Sequence, residues 1–325
     1  MTWLITGGAG YIGAHVVRAM TAAGERAVVL DDFSTGVASR LAPEIPTVRG
    51  SVADRALLDR TLAEHHITGV VHLAARKQVG ESVERPLEYY RDNVHGLTVL
   101  LEAVAAAGVR RFVFSSSAAV YGTPDTDRVT EETPCLPVNP YGETKLAGEW
   151  MVRAAGRAHG IATTCLRYFN VAGAARPDLA DTGVFNIIPM FFERITDGVP
   201  PLVFGDDYPT PDGTCVRDYV HVEDLAEAHV AAARQLGPVR DLTLNIGTGR
   251  GVSVREMALL VHEVTGGRVP VQEVTGRRAG DPASVVASSR LAGEALGFTA
   301  RKDIRDMVAS AWEGWCLYRP GAHGN

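Results

Sequence analysis

The sequence predicts an α/β protein built on a doubly wound parallel sheet, joined to a smaller, irregular α+β domain. Three observations carry that reading. Leu4 to Gly13 reads LITGGAGYIG, a short apolar strand that runs straight into a glycine turn and a helix. Strand and helix patterns then alternate as far as Tyr168, which implies parallel strands covered on both faces. Beyond Asn170 the alternation stops, and Ala172 to Gly183 and Gly198 to Gly213 are rich in Pro, Gly and Asp.

In chain order, Trp3 to Thr6 is the first strand, and Tyr11 to Ala23 is a helix with Ile12, Val16, Ala19, Met20 and Ala23 at helical spacing. A second strand, Ala27 to Leu30, ends in Asp31; DDFSTG is turn chemistry, and Thr47 to Arg49 is a third, short strand. Ala53 to His65 predicts a helix and Gly69 to Leu73 a strand. Arg85 to Ala107 reads as one long helix stopped by Gly108. Arg111 to Ser115 is the next strand, Pro140 to His159 a helix begun by proline, and Thr163 to Tyr168 a further strand. In the second part, Phe185 to Asp197, Val220 to Leu236 and Val254 to Thr265 predict helices and Leu242 to Ile246 a strand. The expected division is residues 1–170, with a return segment at about 215–250, and residues 171–325.

With 325 residues the chain is long enough for one sizeable domain and a smaller one. A formal net charge of −6, 46% hydrophobic and 22% charged residues give no basic surplus for nucleic acid. No apolar run approaches the roughly 20 residues of a membrane span, and the first strand leaves no room for a signal peptide, so a cytoplasmic protein is expected. Cys135, Cys165, Cys215 and Cys316 are scattered, with no C-x-x-C and no nearby His pairing, so no metal site and no disulfide framework is indicated.

The glycine turn carries the first chemistry. Gly8, Gly10 and Gly13 satisfy G-x-G-x-x-G, and Gly7, Gly10 and Gly13 the related G-x-x-G-x-x-G. A helix N-terminus offers unpaired N–H groups and a positive dipole end to a pyrophosphate, and glycines let the phosphates approach. Asp31, about twenty residues on, suits the two hydroxyls of an adenosine ribose and would repel a 2′-phosphate, which predicts NAD rather than NADP.

Tyr141 and Lys145 form Y-x-x-x-K at the start of a helix, on one face. A phenol with pKa near 10 needs about three units of depression, roughly 4 kcal/mol, to act as a base at pH 7. A neighbouring ammonium and the positive nicotinamide ring are the charges that supply it. Phe112 to Gly122, FVFSSSAAVYG, delivers Ser115, Ser116 and Ser117 to the carboxyl end of a strand. Ser117 is the candidate to share a hydrogen bond with Tyr141 and a substrate hydroxyl, while the other two read as structural.

GGAGYIG, FSSS with VYG, and YGETK together resemble the extended short-chain dehydrogenase/reductase superfamily, which implies a Rossmann fold. KQVGESVERPLEYYRDNV (Lys77 to Val94), RYFNVAGA (Arg167 to Ala174) and FGDDYPTPDGTCVRDYVHVEDLA (Phe204 to Ala226) narrow the resemblance to the UDP-glucose 4-epimerase (UDP-galactose 4-epimerase) family, as far as about Gly297. The resemblance implies Tyr141 as the base at the sugar 4-hydroxyl, hydride passing to NAD and back, and a 4-keto sugar that turns over in between. It places Lys77, Asn93, Ser117, Lys145 and Phe169 around the nicotinamide and its ribose, and Tyr11, Ile12, Asp31, Asp32 and Val52 on the adenosine and pyrophosphate side. For the UDP-hexose it implies Asn170, Asn186, Phe204, Arg217, Arg278 and Asp281, the arginines being suited to phosphate oxygens. It also implies a homodimer packed through the helices Arg85 to Ala107 and Tyr141 to His159.

The chain departs from that pattern at Ser51, where an Asp is usual, at Val171, where a proline is usual, and near Val285. There Ser284, Val285 and Val286 replace a bulky aromatic, which suggests room for a 2-acetamido group and so for UDP-N-acetylglucosamine. A 4,6-dehydratase would need Thr-Asp-Glu where this chain has Ser117-Ala118-Ala119, and two alanines move no protons. A UDP-glucuronate epimerase stays open, since its carboxylate partner has no sequence signature. A non-catalytic NAD-binding sensor is disfavoured by the retention of Ser117, Tyr141 and Lys145 together.

Overall fold

The computed structural model describes residues 1–319 except 127, 238–240, 268 and 279. Along the chain, β1 (Thr2–Thr6), α1 (Tyr11–Ala22), β2 (Arg26–Asp31), β3 (Thr47–Arg49), α2 (Arg55–Glu64) and β4 (Gly69–His72) come first. They are followed by α3 (Val79–Glu84), α4 (Pro86–Tyr89), α5 (Gly96–Ala106), β5 (Arg111–Ser117), α6 (Pro140–His159) and β6 (Ala162–Tyr168). The rest comprises β7 (Asn170–Ala172), α7 (Ile187–Thr196), β8 (Leu202–Phe204), β9 (Val216–His221), α8 (Val222–Gln235), β10 (Asp241–Ile246), β11 (Gly251–Ser253), α9 (Val254–Val264), β12 (Glu273–Thr275), β13 (Ser284–Val285), α10 (Arg290–Leu296) and α11 (Ile304–Tyr318).

Seven parallel strands form the main sheet in the order β10-β6-β5-β4-β1-β2-β3. The order reverses between β1 and β4, and a crevice opens over the carboxyl ends of such a pair. Alternation within strands sorts the two faces. Trp3 and Ile5 pack with Val16 and Met20 of α1 and Leu225 and Ala232 of α8, whereas Leu4 packs with Leu58 of α2, Leu97 and Leu100 of α5 and Val152 of α6. Both faces are therefore dry, as an all-parallel sheet requires.

A third core joins α7, α9 and α11 through Phe191, Phe192, Met257, Val261, Met307 and Trp315. Beside it lie a four-stranded sheet of β7, β9, β11 and β13 and the β8–β12 pair. Helix α8 and strand β10 belong to the main sheet's layers, while β9, at the head of the same stretch, pairs with β7, β11 and β13.

The helix expected at 85–107 is present from Pro86 to Ala106, with a π-helical stretch inside it and a separate short helix before it. Residues 79–106 form α3, α4, a π-helical stretch at Tyr90–His95 and α5. Pro86, which cannot donate a helical N–H, starts α4 after Arg85 has left the helical region at φ −130° and ψ 55°. The π stretch holds buried Asn93.

Candidate active site

The glycine turn answers whether the residues present fit a dinucleotide. Gly7 has φ +72°, and a Cβ there would lie 2.7 Å from the Ala74 nitrogen; a Cβ on Gly13 would lie 2.1 Å from the Gly7 carbonyl oxygen. Those two glycines are needed by the protein's own packing. Gly10 is different: a Cβ there would meet only the Gly7 oxygen, at 3.2 Å, so the space it leaves is held open toward the outside. Gly10 is also the N-cap of α1, with no side-chain cap and no acidic residue in the first turn, so the helix donors stay available for an anion. Asp31 is buried at the end of β2, with Oδ2 accepting from the Ala9 N–H and Oδ1 from the Phe33 N–H, both at 2.9 Å. Each oxygen keeps a lone pair for a ribose hydroxyl. Burial raises the Asp31 pKa and the two amides oppose it. The cradle fits NAD.

The other residues expected around the cofactor are placed unequally. Asp32 is exposed and turned into its own loop, accepting from the Ser34 N–H and Oγ. Tyr11 reaches away from the turn, donating to the Gly173 carbonyl at 2.5 Å, and Ile12 packs at the edge of the α1 core. Val52 is buried against Gly96, while Ser51 is exposed. Asn93 is buried and fully engaged by protein: Oδ1 accepts from the Arg76 N–H, and Nδ2 donates to the Arg76 carbonyl and the Thr144 Oγ1. From within the π stretch it ties the segment that carries exposed Lys77 to α6. Phe169 is buried with Val120, Tyr121 and Leu146.

Helix α6 brings Tyr141 and Lys145 to the end of β5. Asn139 caps it, accepting from the Gly142 N–H at 2.9 Å, with Pro140 in the first turn and left-handed Gly160 at the far end. Gly148 lets it lie close, since a Cβ there would come within 2.5 Å of the Phe114 ring. Lys145 is buried and donates to the Ser115 carbonyl at 2.9 Å, its Nζ 5.9 Å from the centre of the Tyr141 ring. Burial lowers the Lys145 pKa to about 8. For Tyr141 burial works against ionisation and raises the phenol pKa, while a hydrogen bond with Ser117 lowers it. Within the protein Ser117 offsets burial only in part, so the depression that a base needs falls to the positive charge that a bound nicotinamide would add.

Ser115 and Ser116 are strand residues rather than turn formers. The Ser115 carbonyl holds Lys145, and the Ser116 hydroxyl donates to buried Glu149. Sequence reasoning missed Glu149 and Arg167, a buried pair at 2.7 Å. The available signal was their position: Glu149 continues the Tyr141, Lys145 spacing by one more turn. It also missed His72, buried on β4, whose Nδ1 is hydrogen-bonded to Thr6 Oγ1 at 2.7 Å.

Of the residues expected at the UDP-hexose, four form two contacting pairs, Arg217 with Asp281 and Arg278 with Phe204, linked by the Asp281 N–H, which donates to the Arg278 carbonyl at 3.4 Å. Arg217 Nη1 donates to the Pro282 carbonyl at 2.8 Å and its Nη2 lies 3.6 Å from Asp281, while the Arg278 guanidinium covers the Phe204 ring at 4.0 Å. Asn170 is exposed on β7, and Asn186 precedes α7 with its Nδ2 donating to Asp181. Val285 is buried in the cluster of Val120, Tyr121 and Phe169, beside Arg217 in strand register. None of the four cysteines forms a disulfide. Among the described residues no helix is long and apolar enough to cross a membrane.

A Rossmann-type sheet, a Ser-Tyr-Lys cluster and a cation-bearing site on a second small sheet define a nucleotide-linked epimerase or dehydratase. The sequence model of the NAD dependent epimerase/dehydratase family matches residues 3–247, and the chain belongs to that family. Within it, the chain is similar to the UDP-glucose 4-epimerase of Azospirillum brasilense, 44% identical over 317 residues that cover 96% of this chain and 91% of the relative. Its fold matches the UDP-glucose 4-epimerase of Brucella ovis in complex with NAD, at TM-score 0.91 and 39% identity over 97% of this chain and 98% of that one. It also matches the enzyme of Bifidobacterium longum in complex with NAD+ and UDP, at TM-score 0.91 and 37% identity over 99% and 100% of the two chains.

Proposed function

We propose that this protein interconverts UDP-galactose and UDP-glucose by inverting C4 of the sugar, with NAD held throughout. The observation that carries the reading is the convergence of Ser117, Tyr141 and Lys145 at the end of β5. When bound, NAD would supply the reversible hydride acceptor for C4 of the sugar. Tyr141 takes the proton of the 4-hydroxyl and gives it back, Ser117 donates to the developing phenolate, and Lys145 holds a positive charge beside both. Asp31 and the α1 N-terminus hold the dinucleotide, with Gly7, Gly10, Tyr11, Ile12, Gly13, Asp32, Val52, Lys77, Asn93 and Phe169 in the roles the resemblance gives them. Arg217, Arg278, Asp281, Phe204, Asn170 and Asn186 receive the UDP. The units are residues 1–170 with the return at 215–250, and residues 171–325.

Finer parts of the reading have separate support. A homodimer is supported by Val83, Leu87, Tyr90 and Trp150, apolar side chains exposed on α3, α4, the π stretch and α6. Four cysteines held as thiols support a reducing compartment, and we place the protein in the cytoplasm, in galactose metabolism. The small side chain of Val285 beside Arg217 supports acceptance of UDP-N-acetylgalactosamine as well. Its turnover is expected within about a thousandfold of that with UDP-galactose, and a slower rate counts against a wider pocket.

The deciding experiment incubates the purified protein with UDP-galactose, without added nucleotide, and follows UDP-glucose by proton NMR. UDP-glucose is expected. If none forms even after NAD is supplied, the assignment fails. The Tyr141→Phe variant is expected to lose about a hundredfold to ten-thousandfold in kcat, and undiminished turnover would remove Tyr141 as the base.

A further inference from the structure

Behind the Ser117, Tyr141 and Lys145 cluster lies a buried charged network that the reaction chemistry does not use. Glu149 stands one helical turn beyond Lys145 on the same face of α6, fully buried. Its carboxylate receives Arg167 of β6 at two points, Nε to Oε1 at 2.8 Å and Nη2 to Oε2 at 2.7 Å, and the Ser116 Oγ at 2.5 Å. Arg167 and Ser116 are register partners on adjacent strands. Arg167 Nη1 also donates to the Tyr121 hydroxyl at 2.8 Å, and Tyr121 donates to Asn245 Oδ1 of β10 at 2.7 Å. One network thus ties α6, three strands and the turn after Ser117.

Stability is a poor reason for such a pair, because desolvating two charges is costly and apolar side chains of similar size commonly serve as well. Geometry is a better one. Helix α6 is stitched to the end of β5 at two successive residues, by Lys145 donating to the Ser115 carbonyl and by the Ser116 hydroxyl donating to Glu149. The next residue is Ser117. We infer that Glu149 and Arg167 are positioning residues, which act through Ser116 to fix the Ser117 hydroxyl against the Tyr141 phenol. The groups that bear on that phenol are Ser117 from β5, Lys145 from its own helix and Tyr168 from β6. Ser117 is the one that offsets the effect of burial. Losing its alignment leaves the phenolate less stabilised, so the base needs a higher pH to ionise.

The inference rests on the epimerase reading, and the experiment separates the two. The NAD-loaded protein is assayed with UDP-galactose across pH as the parent, Ser116→Ala, Glu149→Gln, Ser117→Ala and the Ser117→Ala/Glu149→Gln pair. Ser116→Ala and Glu149→Gln are expected to lower kcat roughly tenfold with KM within about twofold, and to move the acid limb of kcat to higher pH. The double variant is expected to be no slower than Ser117→Ala, because both changes act through one hydroxyl. Losses that multiply, or a Ser116→Ala enzyme with the parent's kcat and acid limb, overturn the inference. If Glu149→Gln does not fold, Ser116→Ala, which keeps both charges, carries the test alone. If the parent shows no turnover, the epimerase reading fails, and the ultraviolet tyrosinate titration of Tyr141, taken against Tyr141→Phe, still decides. Its midpoint rises in Ser116→Ala if the inference holds and is unmoved if it does not.

Discussion

Gly10 and Gly13 are three residues apart and look alike in the sequence, yet their environments assign them different duties. A Cβ on Gly13 runs into the Gly7 carbonyl at 2.1 Å, so Gly13→Ala must move backbone and is expected to cost about 1–3 kcal/mol of stability. Gly10 has φ −71° and ψ 174°, open to any residue, and its Cβ would meet protein only at 3.2 Å. Gly10→Ala is therefore expected to cost the NAD-free protein less stability than Gly13→Ala while losing at least about tenfold in NAD affinity. Thermal melts and the NAD retained on purification check both; a Gly10→Ala protein that keeps its NAD would remove the pyrophosphate from this turn. The motif was legible in the sequence, but which glycine serves the ligand was not, because spacing does not say what a missing Cβ would touch. The same holds for Asn93. Its type and place were legible, whereas its bonds to the Arg76 backbone and to Thr144 depend on residues 17 and 51 positions away.

At the scale of elements, helix and strand periodicity sufficed wherever a segment was long and buried on one side, as for α1 and α6. It placed the helix of residues 85–107 but not the π stretch inside it, because apolar spacing survives a π insertion, nor the short α3 that Pro86 separates from it. This helix and α6 carry the face of the proposed dimer. Leu87 is 80% exposed and Trp150 57%, on neighbouring elements of one face, and each is large and apolar. Leu87→Glu and Trp150→Glu would place a charge at the centre of a two-copy contact and are expected to convert a dimer to monomer without lowering Tm in the isolated chain. Sedimentation velocity at micromolar concentration checks this. A parent that sediments as a monomer would reassign the patch.

At the scale of the whole molecule, the main sheet was readable because its strands are continuous apolar runs. The second sheet was not, because β7, β8, β11, β12 and β13 have three residues or fewer and carry no period. Nor did the sequence reveal how many histidines the fold would bury. The folded chain holds His15, His221 and His229 neutral down to about pH 4 and His72 to about pH 3, in each case chiefly through burial. An unfolded histidine takes its proton near pH 6.5. Between those limits the unfolded state binds more protons, so stability must fall as the pH falls. Each of the four costs about 2 kcal/mol at pH 5, and together they rival the whole margin of an ordinary domain. Asp31 and Asp218, whose carboxyls burial raises, act in the opposite direction but only as the pH nears the carboxylate range. His15 makes the outcome more than a loss of stability. Its Nδ1 is bonded to the Tyr11 carbonyl and its Nε2 accepts from the Ala175 N–H, which joins α1 to the segment after β7. A proton on Nε2 would set one donor against another, so the first contact to open on acidification is expected to lie beside the dinucleotide cradle. The denaturant midpoint should fall clearly between pH 7 and pH 5, with NAD released before global unfolding. An equal midpoint at the two pH values would show that the fold accommodates these histidines as cations, and burial would then not set their protonation.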